Sequence, residues 1–162
     1  MEKDKTILAV KLLSSLAACQ AAGLIGAVFT MPAVNTWYLT LNKPFFNPPN
    51  SIFGPVWTVL FIAMGIALFL VWVKNEHKKE KRLAIILFFI QLLFNMLWSV
   101  VFFGLHSPFL GVLIILILLA LIIATAIRFY KLSETAGMLM IPYILWVSFA
   151  SILNIAIWVL NR

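Results

Sequence analysis

Amides and indoles recur at helical spacing in an otherwise apolar chain. Gln91, Asn95, Trp98 and Phe102 fall on one face of a helix turning roughly 100° per residue. Tyr143, Trp146, Val147, Ala150 and Asn154 share a second face, and Trp57, Phe61, Met64 and Leu68 a third. Such faces offer flat apolar surfaces for stacking and a few amide dipoles to orient what stacks, which is the chemistry of recognition. The groups that make and break bonds are missing from these stretches. No Asp, Glu, Lys or Arg lies in the middle of any of them, and the acidic residues Glu2, Asp4, Glu76, Glu80 and Glu134 sit beside basic ones. His77 and His106 fall in different loops, and there are no facing carboxylates, Ser–His dyad, HExxH or Gly-rich phosphate loop. Cys19 stands alone, so no disulfide framework or Cys-type metal site is expected. These absences argue against a hydrolase, a metalloenzyme, an ATPase or a proton antiporter, the last because proton coupling needs an intramembrane carboxylate. No metal and no required cofactor are expected.

The elements that must position these faces are membrane spans. Of the 162 residues, 64% are hydrophobic and 10% charged, and the mean hydropathy is +1.10. Soluble domains carry about 25% charged residues. Five runs near the ~20 residues needed to cross hydrocarbon occupy about 7–30, 52–74, 83–105, 109–130 and 135–160. They predict an all-α membrane protein, a five-transmembrane-helix bundle forming a single integral-membrane domain over 1–162, with a structured loop, 31–51, between helices 1 and 2. Pro32 follows span one, Asn50 or Ser51 is placed to cap span two, Ser107-Pro108 starts span four, and Ser133 or Thr135 is placed to cap span five. Pro142 should kink span five unless neighbours satisfy the freed carbonyl. Leu16-Ala17-Ala18-Cys19 looks like a lipoprotein cleavage box, but the apolar run continues well past Cys19 and Lys11 interrupts it, which favours a retained helix.

With five spans, Lys3, Lys5, Lys11, Lys74, Lys78, Lys79, Lys81, Arg82, Arg128 and Lys131 share one side, and only Lys43 and Arg162 the other. The positive-inside bias puts the N-terminus in the cytoplasm and the C-terminus outside, as for a bacterial cell membrane. The basic residues flank apolar runs, so the net charge of +7 points to membrane lipid and not to nucleic acid. At ~1.5 Å per residue the three polar-aromatic faces converge in the outer half of the bundle, beneath loop 31–51. That loop carries Trp37, Lys43, Pro44, Pro48 and Pro49, aromatic enough to bury and stiff enough to act as a lid. The faces have a plainer reading too: tryptophans pack and anchor, and Asn95 and Asn154 bond helix to helix. The ladder Ala18, Ala22, Gly26 serves either packing within the bundle or a homodimer.

Four motifs in order now carry a resemblance. Trp37-Tyr38-x-x-Leu41-x-Lys43-Pro44-x-x-x-Pro48-Pro49, Gly54-x-x-Trp57, Gln91-x-x-x-Asn95-x-x-Trp98-Ser99-x-x-Phe102-Phe103 and Pro142-Tyr143-x-x-Trp146-x-x-Phe149-Ala150-x-x-x-Asn154 resemble the translocator protein family, the TspO/MBR group of tryptophan-rich sensory proteins and peripheral benzodiazepine receptors. No basic residue follows Tyr143 within reach of a sterol-type pattern, so the likeness is to a bacterial member. The resemblance implies a receptor or sensor, often dimeric, that binds porphyrins such as protoporphyrin IX and haem, and related apolar aromatic ligands, under the helix 1–2 loop. It implies ligand contacts at Tyr38, Trp57, Asn95, Trp98, Phe102, Trp146, Ala150 and Asn154; Phe61 joins them as a neighbour on the Trp57 face. Lys43 is placed either to meet a ligand carboxylate at the water boundary or simply to be a solvated loop lysine. Some bacterial members break down protoporphyrin in light, which would give Trp57 and Trp146 a catalytic part; a tetrapyrrole or small-molecule transporter is the third reading. The family's dimer contact uses small residues on helix three, where this chain offers Ser99 and Gly104.

Overall fold

The computed structural model describes residues 2–74 and 78–162, with the side chains of Glu2 and Lys3 left aside. Glu76 and His77, named above, lie outside the described residues. The chain forms α1 (Glu2–Val34), a single lid turn α2 (Trp37–Thr40), α3 (Asn50–Trp72), α4 (Lys78–Ser99) continuing as a π-helical turn (Val100–Gly104), α5 (Pro108–Leu132), α6 (Glu134–Leu139) and α7 (Ile141–Leu160). Five apolar stretches are long enough to cross a membrane, with α4 and its π turn forming one and α6 and α7 together another. Their order matches the five spans expected, and no strand occurs among the described residues.

The boundaries differ where prolines and caps were weighed. Pro32 does not follow the first span but lies inside α1, which runs on to Val34. A proline in the last turn forfeits only one helical bond, and side chains take up the terminal carbonyls. Asn35 Nδ2 donates to the Met31 carbonyl at 3.3 Å and Thr36 Oγ1 to that of Pro32 at 2.8 Å. Neither Asn50 nor Ser51 caps α3; both lie in its first turn, behind Pro49, and no side chain accepts from the helix start. Ser107 and Ser133 do cap, accepting from the amides of Leu110 and Ala136, each at 3.4 Å. Near Pro142 the helix breaks at Met140, so that the proline falls in the first turn of α7, where its missing N–H leaves no gap.

The helices are ordered in a ring, α3–α1–α4–α5–α6/α7, and the ring is tight at one end only. Away from the lid, α3 lies against α6, and Met64, Leu68, Val71, Phe88, Ile122 and Phe129 are wholly enclosed; Phe88 and Phe129 stack at 5.5 Å. Toward the lid α3 and α7 separate, and side chains alone bridge the gap: Phe53 meets Trp146 at 6.0 Å and Trp57 meets Tyr143 at 6.1 Å. At Gly65 the backbones of α1 and α3 approach closely. A Cβ on Gly65 would stand 2.9 Å from Leu16 Cδ2 and 3.0 Å from Leu16 Cα, so backbone and not only side chain is in the way. Of the ladder, Ala22 and Gly26 are buried within the bundle and Ala18 is half-buried; Cys19 is enclosed beside them.

Because this contact leaves no room for a side chain, Gly65→Ala should lower thermal stability in detergent and Gly65→Leu should lower it further, by about 1–3 kcal/mol as overpacking does. Equal melting temperatures for both variants and the unaltered chain would show that α1 and α3 do not meet there.

Candidate functional site

The splayed end of the bundle encloses a cavity of about 560 Å³. That is within the range of ligand pockets, roughly 300–1,000 Å³. Each wall follows from a sequence face. The α3 face supplies Trp57 and Phe61, α4 supplies Asn95 and Trp98, and the π turn supplies Phe102. From α7 come Trp146, Ala150 and Asn154, and Tyr38 of α2 forms the roof. All nine residues expected to contact a ligand therefore line one space.

The polar groups in these walls are engaged with one another. Asn95 Nδ2 donates to Tyr143 Oη at 2.8 Å, and that hydroxyl donates to Gln91 Oε1 at 3.1 Å. Trp98 Nε1 donates to Asn154 Oδ1 at 2.9 Å, while Asn154 Nδ2 donates to the Pro108 carbonyl at 3.0 Å. Asn95 and Asn154 thus do both things weighed for them: they tie α4 to α7, and α7 to the start of α5, and they also face the cavity. Amides in hydrocarbon must find such partners. Among the described residues two buried side-chain donors have none, Gln91 Nε2 and Trp146 Nε1, and of these Trp146 is a cavity-lining residue. Among the described residues no charged side chain lines the cavity.

The π turn sets the aromatic register. Leu105 N–H reaches back to the Val100 carbonyl at 2.9 Å, one residue farther than in an α-helix. Phe102 keeps its expected place, its ring stacked on Trp98 at 5.3 Å and 17°. The extra residue also brings Phe103 inward, where its ring meets Tyr38 at 5.8 Å. A straight 3.6-residue count does not foresee Phe103, and the sequence carries no proline or glycine pair to flag the turn.

The lid is structured, but the five residues assigned to it do not line the cavity. Trp37 stacks on His106 at 4.7 Å and 17° and meets the edge of Phe102. The Asn47 amide turns back onto the Pro44 carbonyl at 3.0 Å, Pro48 accepts from Asn47 Nδ2, and Pro49 leads into α3. The Lys43 ammonium lies over the Tyr38 ring at 4.9 Å and donates to the Leu41 carbonyl, so it braces the lid. Asn42 and Asn161 join the lid to the end of α7 by a reciprocal pair, Asn42 N–H to Asn161 Oδ1 and Asn161 Nδ2 to the Asn42 carbonyl, each 2.9 Å.

The α1 wall was not foreseen as a site. Gln20, Gly23, Ala27, Thr30 and Met31 line the cavity with Ala22 and Gly26. Small residues there keep the wall thin; the sequence signal was the ladder itself, which was read for packing or pairing. Among the described residues no three His, Cys, Asp or Glu side chains gather as metal ligands do.

Comparison with known proteins comes to the same place. A model of the TspO/MBR family matches residues 15–159. The chain is 43% identical over 152 residues to the tryptophan-rich protein TspO of Archaeoglobus fulgidus, covering 94% of this chain and 97% of that protein. It is 44% identical over 158 residues to the tryptophan-rich protein TspO of Chlorobaculum tepidum, covering 98% and 99%. With the human translocator protein the identity is 33% over 135 residues, 83% of this chain and 80% of the other.

Burial beneath the lid pushes the Tyr38 phenol up from 10 to about 12, while its hydroxyl donates to Asn47 Oδ1 at 2.7 Å. The folded lid holds this proton more tightly than the unfolded chain, so its contribution is complete below pH 10 and is lost as pH rises from 10 toward 12. Melting followed across that window should fall more steeply for the unaltered protein than for Tyr38→Phe; parallel curves would show that Tyr38 does not carry the effect.

Proposed function

The chain belongs to the TspO/MBR family, and from that premise we propose that it is an integral-membrane receptor or sensor that binds porphyrins, such as protoporphyrin IX and haem, and related apolar aromatic ligands in the cavity under its lid. The observation that carries the reading is a cavity of about 560 Å³ walled by three indoles and free of charged side chains. A flat macrocycle gains by stacking on indole faces and by leaving water. Ionised carboxylates of such a ligand have no partner inside, since burying an unpaired charge is prohibitive. They belong at the mouth, near Asn35, Asn50 and Ser51, in contact with water. The orientation follows from charge: Lys5, Lys11, Lys74, Lys78, Lys79, Lys81, Arg82, Arg128 and Lys131 lie at the end away from the lid, which we assign to the cytoplasm of a bacterial cell, with the lid and C-terminus outside.

One observation favours a second activity. Trp57 and Trp146 both line the cavity, from α3 and α7, so a bound porphyrin would be flanked by two oxidisable indoles. Light- and oxygen-dependent breakdown of the porphyrin is the enzymatic reading, with those tryptophans controlling the reactive species. A product formed under illumination no faster than from porphyrin in detergent alone would dismiss it.

Titration of protoporphyrin IX into the purified protein should quench tryptophan fluorescence saturably. The Trp57→Ala, Trp146→Ala double variant, followed through the remaining tryptophans, should bind about tenfold more weakly or worse, as loss of buried aromatic anchors does. Equal affinity in the two proteins would move the site elsewhere.

A further inference from the structure

The cavity wall is interrupted along one seam. On α1 the cavity is bordered by Gln20, Leu24 and Met31, and on α3 by Ser51, Gly54 and Thr58. Leu24 is 69% exposed and Met31 67%, and Ser51, Gly54 and Thr58 are exposed as well. Residues that border an internal space and also stand in the open mark an aperture. The seam is shut below. The Phe61 ring lies 2.7 Å from where a Cβ on Gly23 would stand, and Gln20 Nε2 crosses to the Thr58 carbonyl at 3.4 Å. From Ser51 to Thr58 the rim is about 10 Å long at 1.5 Å per residue, room for an aromatic ligand passing edge-on.

Gly54 sits in that rim without a packing reason. A Cβ built on it meets no atom within 4 Å, and its backbone is helical and not left-handed. Glycine weakens a helix relative to alanine, so its usual justification is crowding, as at Gly65, or a special conformation. Neither applies. What the missing side chain does is keep the seam wide. We propose that the seam between α1 and α3 is the passage by which an apolar ligand moves between bilayer hydrocarbon and the cavity, and that Gly54 sets its width. This rests on the reading of the cavity as a porphyrin-type site. The chemistry agrees with the geometry: a ligand suited to a charge-free, aromatic cavity already concentrates in the bilayer, and a lateral passage admits it without breaking the lid's bonds to α7.

The test uses the full chain in lipid vesicles, with binding and release of protoporphyrin IX followed by tryptophan fluorescence. Filling a passage changes association and dissociation together and leaves affinity nearly alone. Gly54→Phe should slow both rates by about tenfold with affinity within about threefold, as gating and not contact predicts. Leu24→Ala, which trims an exposed side chain from the opposite rim, should speed both. Wild-type rates in both variants would overturn the passage, and so would a Gly54→Phe variant whose dissociation alone changes, since Gly54 would then be a contact. If Gly54→Phe does not fold, Gly54→Leu and Leu24→Ala carry the same comparison. Absence of any protoporphyrin binding by the unaltered protein would instead defeat the functional reading beneath; binding with unaltered rates defeats the passage alone.

Discussion

A hollow inside a helix bundle persists only if something stops the helices from closing on it. Here that is a set of hydrogen bonds among groups that hydrocarbon cannot solvate. Asn95 to Tyr143 to Gln91, and Trp98 to Asn154 to the Pro108 carbonyl, fix α4, α5 and α7 as one wall. Sliding any of these helices inward would strand a buried amide, which is costly where no water can replace the lost partner. The cavity is therefore bounded on one side by a wall that is polar within and rigid in position. The facing pair, α1 and α3, meets through van der Waals contact at Gly65 and at Gly23, with the Gln20 amide as a cross-tie. The two halves differ in what holds them, one by directional bonds and the other by shape.

The lid's attachments follow the same division. Asn42 clasps Asn161 at the end of α7, Trp37 rests on His106 beyond the π turn, Tyr38 packs on Phe102 and Phe103, and Phe46 meets Phe149 of α7 at 6.4 Å. All of these partners belong to the α4–α5–α7 side. The roof is anchored to the rigid wall, and Lys43 is used inside the lid to clamp Tyr38. Such a roof covers the α4–α5–α7 part of the water-facing end and leaves the α1–α3 side, with its mouth at Asn35, Asn50 and Ser51, untouched.

Much of this could be read from the sequence because two periodicities are strong in it. Runs of apolar residues long enough to span hydrocarbon fixed the number and order of helices, and the rule that buried amides must be paired pointed Asn95, Asn154 and the indoles beside them inward. That reasoning brought the three helical faces together; the full set of nine, Tyr38 included, was named through the family resemblance, and all nine line one cavity. What it could not reach depends on local backbone energetics or on partners distant in sequence. The π turn at Val100 inserts a residue that helical counting cannot register, and with it Phe103. Pro32 stays helical because Asn35 and Thr36 happen to take up the terminal carbonyls. Lys43 has water, a carboxylate or an aromatic ring as possible neighbours, and only the fold brings Tyr38 under it. The α1 wall was hidden because small residues look alike whether they seat another helix or thin the side of a cavity.

The balance of polar groups around the cavity also bears on what it can distinguish. A site rejects wrong ligands strongly when a buried donor or acceptor would be left unpaired by them. Here Trp98, Asn154 and Asn95 Nδ2 are already satisfied by protein, and the Trp146 N–H, the unpartnered donor of a wall residue among those described, is itself enclosed. For the proposed ligand, selection would then rest on flatness, size and freedom from buried charge. Stacking surfaces tolerate many flat molecules, because dispersion depends on area more than on identity. A cavity built this way is suited to a class of ligands and not to a single member, and the position of a ligand's charged groups, which must stay at the mouth, becomes the sharpest criterion it can apply.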